Sequence, residues 1–392
     1  SSVATGEYHS GIELNAIQRS NPEMQKRVYN AIRAMAESTE NPIVSVHDHG
    51  AGGHLNSLSE LVEEQGGSID LGKLPVGDPT LSFKEIVGNE SQERMGLVLK
   101  AADAEILQRV AERERAPFYN VGKITGDMNF SFVNSKTGEA PINMPLEYFF
   151  GKPPRTVMAD STTESRFQQP GYDKSKLNQY IEQVLQLEAV ACKDWLTNKV
   201  DRSVTGRIAH QQTAGPLQLP LNNLGVVALD FQGVKGIATS IGHAPVSGLV
   251  DPAAGSVLSV TEALTNLVWA PIEQGLGGVS LSANWMWPCR NQGEDARLYK
   301  AVKAVSDFAI ELGVNIPTGK DSLSMTQKYP DGKTVMSPGS VIISTVGEVT
   351  DIRKVISPVL NESFTSSIIY IDFGNGAFNL GGSSFAQVMN KL

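Results

Sequence analysis

The sequence has few cysteines and no long apolar run, and these absences exclude several classes of protein. Cys192 and Cys289 are the only cysteines among its 392 residues, too far apart in sequence to suggest a metal knuckle, so a reducing compartment is expected. No apolar segment is long enough to cross a membrane, and no secretory pattern opens the chain. We therefore expect a cytoplasmic protein with no membrane partner.

Basic residues are also scarce relative to acidic ones. Lys and Arg total 33 against 42 Asp and Glu, which gives a formal net charge of -9 and a pI near 5.3. Because a protein that binds phosphate backbones needs a basic face, nucleic acid is not an expected partner. The composition is that of a globular protein, and the length suggests two or three domains of about 100–200 residues each.

What the chain does contain is a glycine turn that follows a histidine and an aspartate. Residues 44–54 run from apolar positions through a His-Asp pair to a Gly-Ala-Gly-Gly run, which predicts a strand, a turn and a helix that starts at a Ser57–Glu60 capping box. Glycine lets the backbone approach a ligand closely and a helix start attracts anions, so Asp48 is a candidate metal ligand beside a phosphate. An ordinary turn, in which Asp48 accepts from backbone amides, is the alternative that this pattern leaves open.

The order of predicted elements divides the chain. Strands and helices alternate over residues 1–150 and predict an α/β domain, in which residues 89–92 could contact a ribose or phosphate, although a solvated loop is more common there. Residues 151–360 mix hairpins with helices and predict an α+β domain, with paired strands at 226–230 and 236–241. Residues 361–392 hold a predicted strand at 367–371 and the start of a helix, as if a further domain were cut short.

Two polar clusters in the second domain are candidate binding sites. Glu262 and Asn266 stand four residues apart on one predicted helical face, where two oxygen ligands can share Mg²⁺, although a surface Glu beside a capping or buried Asn is more common. Gly319, Lys320 and Ser322 suggest a glycine turn that can hold a phosphate. The spacing fails the P-loop pattern, because the upstream glycine is one residue too far and Asp321 replaces the required hydroxyl residue.

Taken together, the motifs resemble the formylglycinamide ribonucleotide amidotransferase family, the large single-chain phosphoribosylformylglycinamidine synthases of purine biosynthesis. The resemblance covers nearly the whole chain in order, and the motifs that carry it are Ala16 to Arg19, Asn21 to Met24, His47-Asp48 with Gly50 to Gly53, Asn89 to Arg94, Asp201 to Gly206, Glu262 to Asn266, Ser282 to Met286 and Gly319 to Met325. It implies tandem copies of a two-domain unit shared with aminoimidazole ribonucleotide synthetase. On this basis residues 1–150 are the C-terminal-type domain of the first copy, 151–360 the N-terminal-type domain of the second, and 361–392 the start of the second C-terminal-type domain.

The resemblance implies an ATP-dependent carbon-nitrogen ligase with glutamine as the amido-N donor. In this family ATP phosphorylates the amide oxygen of formylglycinamide ribonucleotide, and ammonia displaces phosphate from the iminophosphate to give formylglycinamidine ribonucleotide. Mg²⁺ is expected because the charge on the triphosphate and on the transferring phosphoryl group must be neutralised. The glutaminase domain, the catalytic histidine and the glycine-rich ATP segment lie outside this chain, so we expect the chain alone to be inactive and assign no catalytic acid or base.

The family's site residues match particular positions of this sequence. The matched substrate-binding residues are Gln18, Glu90, Ser91 and Gln92; the nucleotide-binding residues are Lys193, Asn222, Gly319, Lys320 and Ser322; the metal ligands are Asp48, Asn223, Glu262 and Asn266. Those of the second domain correspond to an auxiliary site that holds Mg²⁺ and ADP in the large enzymes. Asn223 stands where relatives usually have Asp, so an amide replaces one carboxylate ligand.

Two other functions stay open. A non-catalytic nucleotide-binding scaffold copy is favoured by the amide at Asn223, whereas intact Gln18, Asp48 and 90–92 favour an active enzyme. Aminoimidazole ribonucleotide synthetase itself is the second alternative. The order of domains, C-terminal-type before N-terminal-type, fits a tandem chain better.

Overall fold

The computed structural model describes residues 21–152, 155, 157–163, 167–197, 206–360, 365–374, 376–377 and 379–391, without the side chain of Gln92. The chain divides into two compact units, Ser1–Thr156 and Val157–Leu392. No helix within these ranges is long and apolar enough to cross a bilayer.

The first unit combines helices with two small sheets. Its helices are α1 (Pro22–Ala36), α2 (Gly53–Leu61), α3 (Phe83–Val87), α4 (Ala104–Glu114) and α5 (Glu147–Phe150), with 3₁₀ turns at Leu71–Lys73 and Ala101–Asp103. Its strands are β1 (Ile43–His49), β2 (Gly67–Asp70), β3 (Ser91–Leu99), β4 (Gly122–Ile124), β5 (Asn129–Val133) and β6 (Ile142–Pro145). β1 and β3 pair antiparallel, while the other four form a sheet in the order β4-β2-β5-β6, with β2 and β5 parallel.

Aromatic side chains form the core of this unit. Phe130 and Phe132 on β5 are fully buried and meet edge to face with ring centroids 5.4 Å apart. They point to the same face because side chains alternate along a strand. Helix α1 packs separately on α4 through the small side chains of Ala31 and Ala111. The glycine turn follows β1, which pairs with β3 in a separate two-stranded ribbon.

The second unit contains one large sheet. Its helices are α6 (Leu177–Leu185), α7 (Asp194–Thr197), α8 (Pro245–Val250), α9 (Pro252–Leu267), α10 (Glu294–Leu312) and α11 (Ser384–Val388), with 3₁₀ turns at Lys174–Lys176, Gly275–Gly278 and Ile352–Lys354. Its strands are β7 (Ile208–His210), β8 (Leu224–Ala228), β9 (Gly236–Gly242), β10 (Val279–Met286), β11 (Asn315–Ser322), β12 (Thr326–Lys328), β13 (Thr334–Met336) and β14 (Ser340–Val349). Six of them form a sheet in the order β11-β10-β14-β9-β8-β7, in which β10 and β11 run parallel.

One face of this sheet is covered by helices, and the other is exposed in the part of the chain that the structure describes. Helix α9 packs on β9 and β14, and its Val260 and Ala263 are fully buried among strand residues such as Leu281 and Ile343. Strand β14 alternates buried and exposed residues over most of its length, as expected when water reaches one face. Helix α9 starts at Asp251, whose carboxylate accepts hydrogen bonds from two first-turn amides. Packing on the covered face therefore fixes the position of α9, the helix that carries Glu262 and Asn266.

The predicted hairpin at 226–230 and 236–241 is confirmed. Strands β8 and β9 pair antiparallel, with Val226 opposite Ala238. The predicted Ser57–Glu60 capping box is wrong, because the N-cap of α2 lies five residues before Ser57, at Gly52, whose φ is 84°. A capping box does occur in this unit, at Ser82 and Glu85 of α3.

Two further local predictions are wrong. Residues 319–322 form no turn but belong to β11, where a Cβ on Gly319 would lie 2.4 Å from the carbonyl oxygen of Ala283. The glycine is thus explained by close approach of β10, not by a turn. Residues 367–371 form no strand, because none of the described strands pairs with them, and Ile368 and Tyr370 are almost fully exposed.

Candidate functional site

The glycine turn of the first unit brings Asp48 close to the loop before β3. Asp48 is exposed at the end of β1, and the antiparallel pairing places His49 opposite Ser91. The backbone amide of Gly52 donates a hydrogen bond to Oε1 of Glu90 at 3.2 Å. A Cβ on Gly50 would lie 3.1 Å from Oδ2 of Asp48, so a larger residue there would crowd the carboxylate. Asp48, Glu90 and Ser91 therefore stand around one turn.

The remaining predicted residues of this unit lie beyond what the structure describes. Gln18 falls outside the described residues, and so does the side chain of Gln92. The hydroxyl of Ser91 donates to Oε2 of Glu93 at 3.0 Å, which fixes its orientation at the start of β3. The exposed Asp48 and the half-buried Glu90 are thus the two carboxylates among the predicted residues described at this turn.

A buried cluster behind the turn was not found by sequence reasoning. His49 and His54 are buried and meet edge to face at 4.9 Å. His49 Nδ1 contacts the Ser57 hydroxyl at 3.2 Å, and His54 Nε2 contacts Nη1 of Arg94 at 3.1 Å. Desolvation, with the nearby Arg94 charge, lowers the pKa of His49 to about 4 and that of His54 to about 3, so both rings are neutral at ordinary pH.

In the second unit, four of the predicted residues line one cavity. The cavity has a volume of about 830 Å³ and is lined by residues of β8, β9, β10, β11, β14 and α9, and its lining includes Asn222, Asn223, Glu262 and Asn266. Asn222 and Asn223 precede β8, while Glu262 and Asn266 are one helical turn apart on α9. The fold thus brings two sequence regions about 40 residues apart to the same cavity.

Hydrogen bonds to the backbone orient these polar side chains. The Asn222 amide group donates to the carbonyl of Gln211 at 2.7 Å, and that of Asn266 donates to the carbonyl of Ile241 at 3.0 Å. Glu262 accepts from the amide of His243 through Oε2 at 2.7 Å. Each side chain is therefore held by one atom, which leaves its second polar atom, an oxygen in all three, available to a ligand.

The charge of this cavity is low for a metal site. Glu262 is the carboxylate among its lining residues, and the described residues contain no group of three or more His, Cys, Asp or Glu that could hold a metal ion. Carboxylate and amide oxygens are nevertheless the donor type that Mg²⁺ accepts. At position 223, where the family resemblance predicts an Asp, the chain has an amide in place of a carboxylate.

The other predicted nucleotide-binding residues do not line this cavity. Gly319, Lys320 and Ser322 lie farther along β11 than Thr318, which does line it, and Lys320 Nζ donates to the Ser322 hydroxyl at 2.8 Å. Lys193 lies before α7, where its ammonium donates to the carbonyl of Ala191 at 3.0 Å. The structure thus gathers the four residues around α9 and leaves these four apart from them.

Comparison with known families identifies both units. Residues 1–133 match the family model of the AIR synthase related protein, C-terminal domain, and residues 192–348 match that of the FGAR-AT PurM_N-like domain. These matches define the chain as an AIR synthase-related protein with a C-terminal-type domain followed by an N-terminal-type one, and they confirm the predicted fold class. By sequence, the chain is similar over almost its whole length to phosphoribosylformylglycinamidine synthases.

The relatives that show this similarity align over almost the entire chain. The chain is 40% identical over 410 residues to phosphoribosylformylglycinamidine synthase of Dictyostelium discoideum, covering 100% of the chain, and 39% identical over 408 residues to that of Homo sapiens, covering 99%. It spans about 30% of the length of these curated relatives.

Solved structures support the fold independently. PurLQS from Thermotoga maritima matches with a TM-score of 0.67 at 20% identity, covering 91% of this chain and 54% of that one. T. maritima PurL complexed with FGAR matches with a TM-score of 0.65 at 19% identity, covering 87% of this chain and 50% of that one. At this identity the likeness extends to the fold alone.

Proposed function

We propose that the chain is part of the ATP-dependent enzyme that converts formylglycinamide ribonucleotide, with glutamine-derived ammonia, to formylglycinamidine ribonucleotide through an iminophosphate. The observation that carries the proposal is the alignment of the whole chain with synthases of that name. The glycine turn and the cavity beside α9 support it, because both present oxygen ligands where the family's site residues fall. The glutaminase that supplies ammonia lies outside the chain, and we place the enzyme in the cytoplasm.

The first unit is proposed to bind the ribonucleotide substrate. Glu90, Ser91 and Gln92, together with Gln18, are assigned to substrate contacts, and Asp48 to Mg²⁺. The exposed Asp48 carboxylate fits a hard cation in donor type, and Gly50 leaves it uncrowded. Bound there, Mg²⁺ would supply positive charge to the phosphoryl oxygens during transfer. Glu90 stays fixed by the Gly52 amide and can accept a hydrogen bond from a hydroxyl or amide of the substrate.

The second unit is proposed to hold a nucleotide, with Mg²⁺, that is not turned over. The specific observation in favour of binding without turnover is that Glu262 is the single carboxylate among the residues that line the cavity. Hard-cation sites weaken as the charge of their ligands falls. Glu262, Asn266, Asn222 and Asn223 would contact the cation and the phosphates. Lys193, Gly319, Lys320 and Ser322 are assigned to the remaining nucleotide contacts, and ADP is the expected occupant.

The domain assignment accompanies this proposal. Residues 1–150 are taken as the C-terminal-type domain of a first synthetase copy, 151–360 as the N-terminal-type domain of a second, and 361–392 as the start of the next domain. The division of the chain at residue 156 into two compact units supports the first of these boundaries.

Steady-state turnover of the complete gene product tests the function. Supplied with ATP, Mg²⁺, glutamine and formylglycinamide ribonucleotide, it should form one formylglycinamidine ribonucleotide per ADP, measured by liquid chromatography and mass spectrometry. Absence of the amidine product would refute the proposal. If formylglycinamidine ribonucleotide were instead converted to aminoimidazole ribonucleotide without use of glutamine, the synthetase alternative would replace it.

A further inference from the structure

The buried histidines behind the glycine turn lie between two segments that the proposed function uses, the turn before α2 and the loop before β3. The proposed function does not explain why these two segments are held together. His54 belongs to the first turn of α2, directly after Gly52 and Gly53, and is 4% exposed. Arg94 lies on β3, four residues after Glu90. Since a guanidinium only donates hydrogen bonds, the contact between Arg94 Nη1 and His54 Nε2 at 3.1 Å makes Nε2 the acceptor. The ring proton must then be on Nδ1.

Arg94 also holds the loop that carries Glu90. It donates from Nη1 to the carbonyl of Asn89 at 3.3 Å and from Nη2 to that residue's Oδ1 at 3.2 Å. One guanidinium thus spans the first turn of α2 and the loop before β3. The fork of an arginine suits this, because its donors are fixed in one plane, whereas a lysine offers a single flexible ammonium.

The two segments are also in close contact at Gly52 and Gly53. A Cβ on Gly53 would lie 2.5 Å from the carbonyl carbon of Gly88 and 2.6 Å from the carbonyl oxygen of Asn89. The adjacent Gly52 amide donates a hydrogen bond to Glu90 Oε1. Glycine packing, the Gly52–Glu90 bond and the guanidinium fork therefore fix Glu90 relative to the turn that carries Asp48.

This arrangement has a feature that stability alone does not explain. His54 Nδ1 is buried without a hydrogen-bond partner among the described residues, which is unfavourable for a polar atom. An apolar side chain at position 54 would avoid that penalty but would give Arg94 no acceptor. The low pKa of His54 agrees, because a protonated ring would put two donors face to face.

We propose that Arg94 is a positioning residue, held by neutral His54, that fixes Glu90 against the Asp48 turn for binding of the ribonucleotide substrate. The inference rests on the proposed function for the identity of that substrate. It requires a neutral acceptor at position 54 and a planar fork at position 94. The positioning acts before the chemical step, so it is expected to affect KM more than kcat.

Hydrogen exchange and kinetics of four variants of the complete gene product test it. His54→Leu removes the acceptor, His54→Gln restores one through its amide oxygen, Arg94→Lys removes the fork, and Arg109→Lys is the control on the exposed surface of α4. In His54→Leu and Arg94→Lys, backbone amides of residues 50–56 and 88–91 should exchange faster while those of β5 do not, and KM for formylglycinamide ribonucleotide should rise about 10-fold or more. His54→Gln should recover most of both effects.

Wild-type exchange and KM in His54→Leu would overturn the proposal, as would faster local exchange with unchanged KM. Equal acceleration in β5 would show a general loss of stability and would also overturn it. If wild-type protein fails to bind formylglycinamide ribonucleotide in calorimetry, the proposed function fails separately. In that case the comparison of His54→Leu with His54→Gln still decides whether the histidine fixes the turn against the loop.

Discussion

Asn266 lies one helical turn after Glu262 on α9, and both side chains bond the backbone at the end of β9. Glu262 accepts from the amide of His243 at 2.7 Å, and Asn266 donates to the carbonyl of Ile241 at 3.0 Å. These bonds fix both side chains at the cavity and leave one oxygen of each available to a ligand. The proposed nucleotide site therefore depends on how closely α9 packs against this strand.

Replacing Asn223 by Asp should strengthen binding of Mg²⁺-ADP. A carboxylate adds one negative charge beside Glu262, and Mg²⁺ binding strengthens with ligand charge, so we expect affinity to rise about 10-fold. Calorimetric titration of ADP with Mg²⁺ into the complete gene product measures this. Asn178→Asp on α6, exposed and outside the cavity, is the matched control. Unchanged or weaker affinity in Asn223→Asp would show that residue 223 does not face the cation.

Replacing Gly242 by Ala should disturb the same site through packing. A Cβ at this position would lie 2.2 Å from the carbonyl oxygen of Ser259 on α9 and 2.4 Å from the amide nitrogen of Ala263, so helix and strand must separate. We expect the unfolding free energy to fall by about 1–3 kcal/mol and Mg²⁺-ADP binding to weaken. Thermal unfolding and calorimetry check both, with Gly277→Ala, which meets no atom within 4 Å, as the control. Wild-type stability would contradict the close approach of α9 to β9.

Asp48→Asn should lower turnover sharply while the fold stays intact. Loss of a carboxylate that would hold Mg²⁺ beside the transferring phosphoryl group is expected to reduce kcat by about 10²-fold or more, as in comparable electrostatic sites. The measurement is steady-state kinetics of the complete gene product, with circular dichroism to check folding. Asp103→Asn, at the start of α4, should behave as wild type. Full turnover in Asp48→Asn would remove Asp48 from the site.

Gln92→Ala should mainly raise the KM for formylglycinamide ribonucleotide. We assign this residue to a contact made before the transition state, so kcat should change little while KM rises about 10-fold. Substrate titrations at saturating ATP and glutamine separate the two constants. An equal fall in kcat and kcat/KM would instead assign the residue to the transition state.

His54 should make the first unit less stable in acid. Its pKa is about 3 in the folded protein, against an ordinary value of 6.5, mainly because burial disfavours the charged ring, with contributions from Arg94 and His49. Its neutral form therefore contributes stability above about pH 6.5, and this contribution is lost as the pH falls toward 3, at a limiting rate of about 1.4 kcal/mol per pH unit. Denaturant unfolding from pH 7 to 4 should show a shallower loss in His54→Leu than in wild type. Parallel pH profiles would contradict the shifted pKa.

The chain alone should show no amidotransfer. The resemblance assigns the catalytic histidine, the glycine-rich ATP segment and the ammonia source to regions outside these 392 residues. Incubation of the purified chain with ATP, glutamine or ammonia, and formylglycinamide ribonucleotide should give no amidine product above a blank. Measurable product would show that the chain carries its own catalytic groups.

Local patterns predicted some of these features, and long-range contacts decided the others. The hairpin of β8 and β9 follows from alternation that the sequence itself displays, and the turn after Asp48 follows from its glycines. The sequence predicts a turn at Gly319 because glycine usually marks one, whereas in the structure the absence of a side chain there lets the Ala283 carbonyl of the adjacent strand approach. That contact joins residues far apart in sequence, so no local pattern could indicate it.

In the candidate site, too, local patterns predicted some features and long-range contacts decided the others. Spacing alone suggested that Glu262 and Asn266 share a helical face, but only family resemblance linked them to Asn222 and Asn223, which the sheet brings to the same cavity. His54 gave no usable signal, because its contact with Arg94 depends on the pairing of β1 with β3. Backbone partners such as the Ile241 carbonyl are equally hard to foresee, since every residue has a carbonyl.

Transfer of isotope from the substrate tests the central claim most directly. Formylglycinamide ribonucleotide labelled with ¹⁸O at the amide oxygen that is replaced would be converted by the complete gene product with ATP and glutamine, and the inorganic phosphate analysed by mass spectrometry. If ATP phosphorylates that oxygen and ammonia then displaces phosphate, each phosphate released with amidine carries one ¹⁸O atom. Unlabelled phosphate, with the label recovered in water, would contradict an iminophosphate route and with it the assigned reaction.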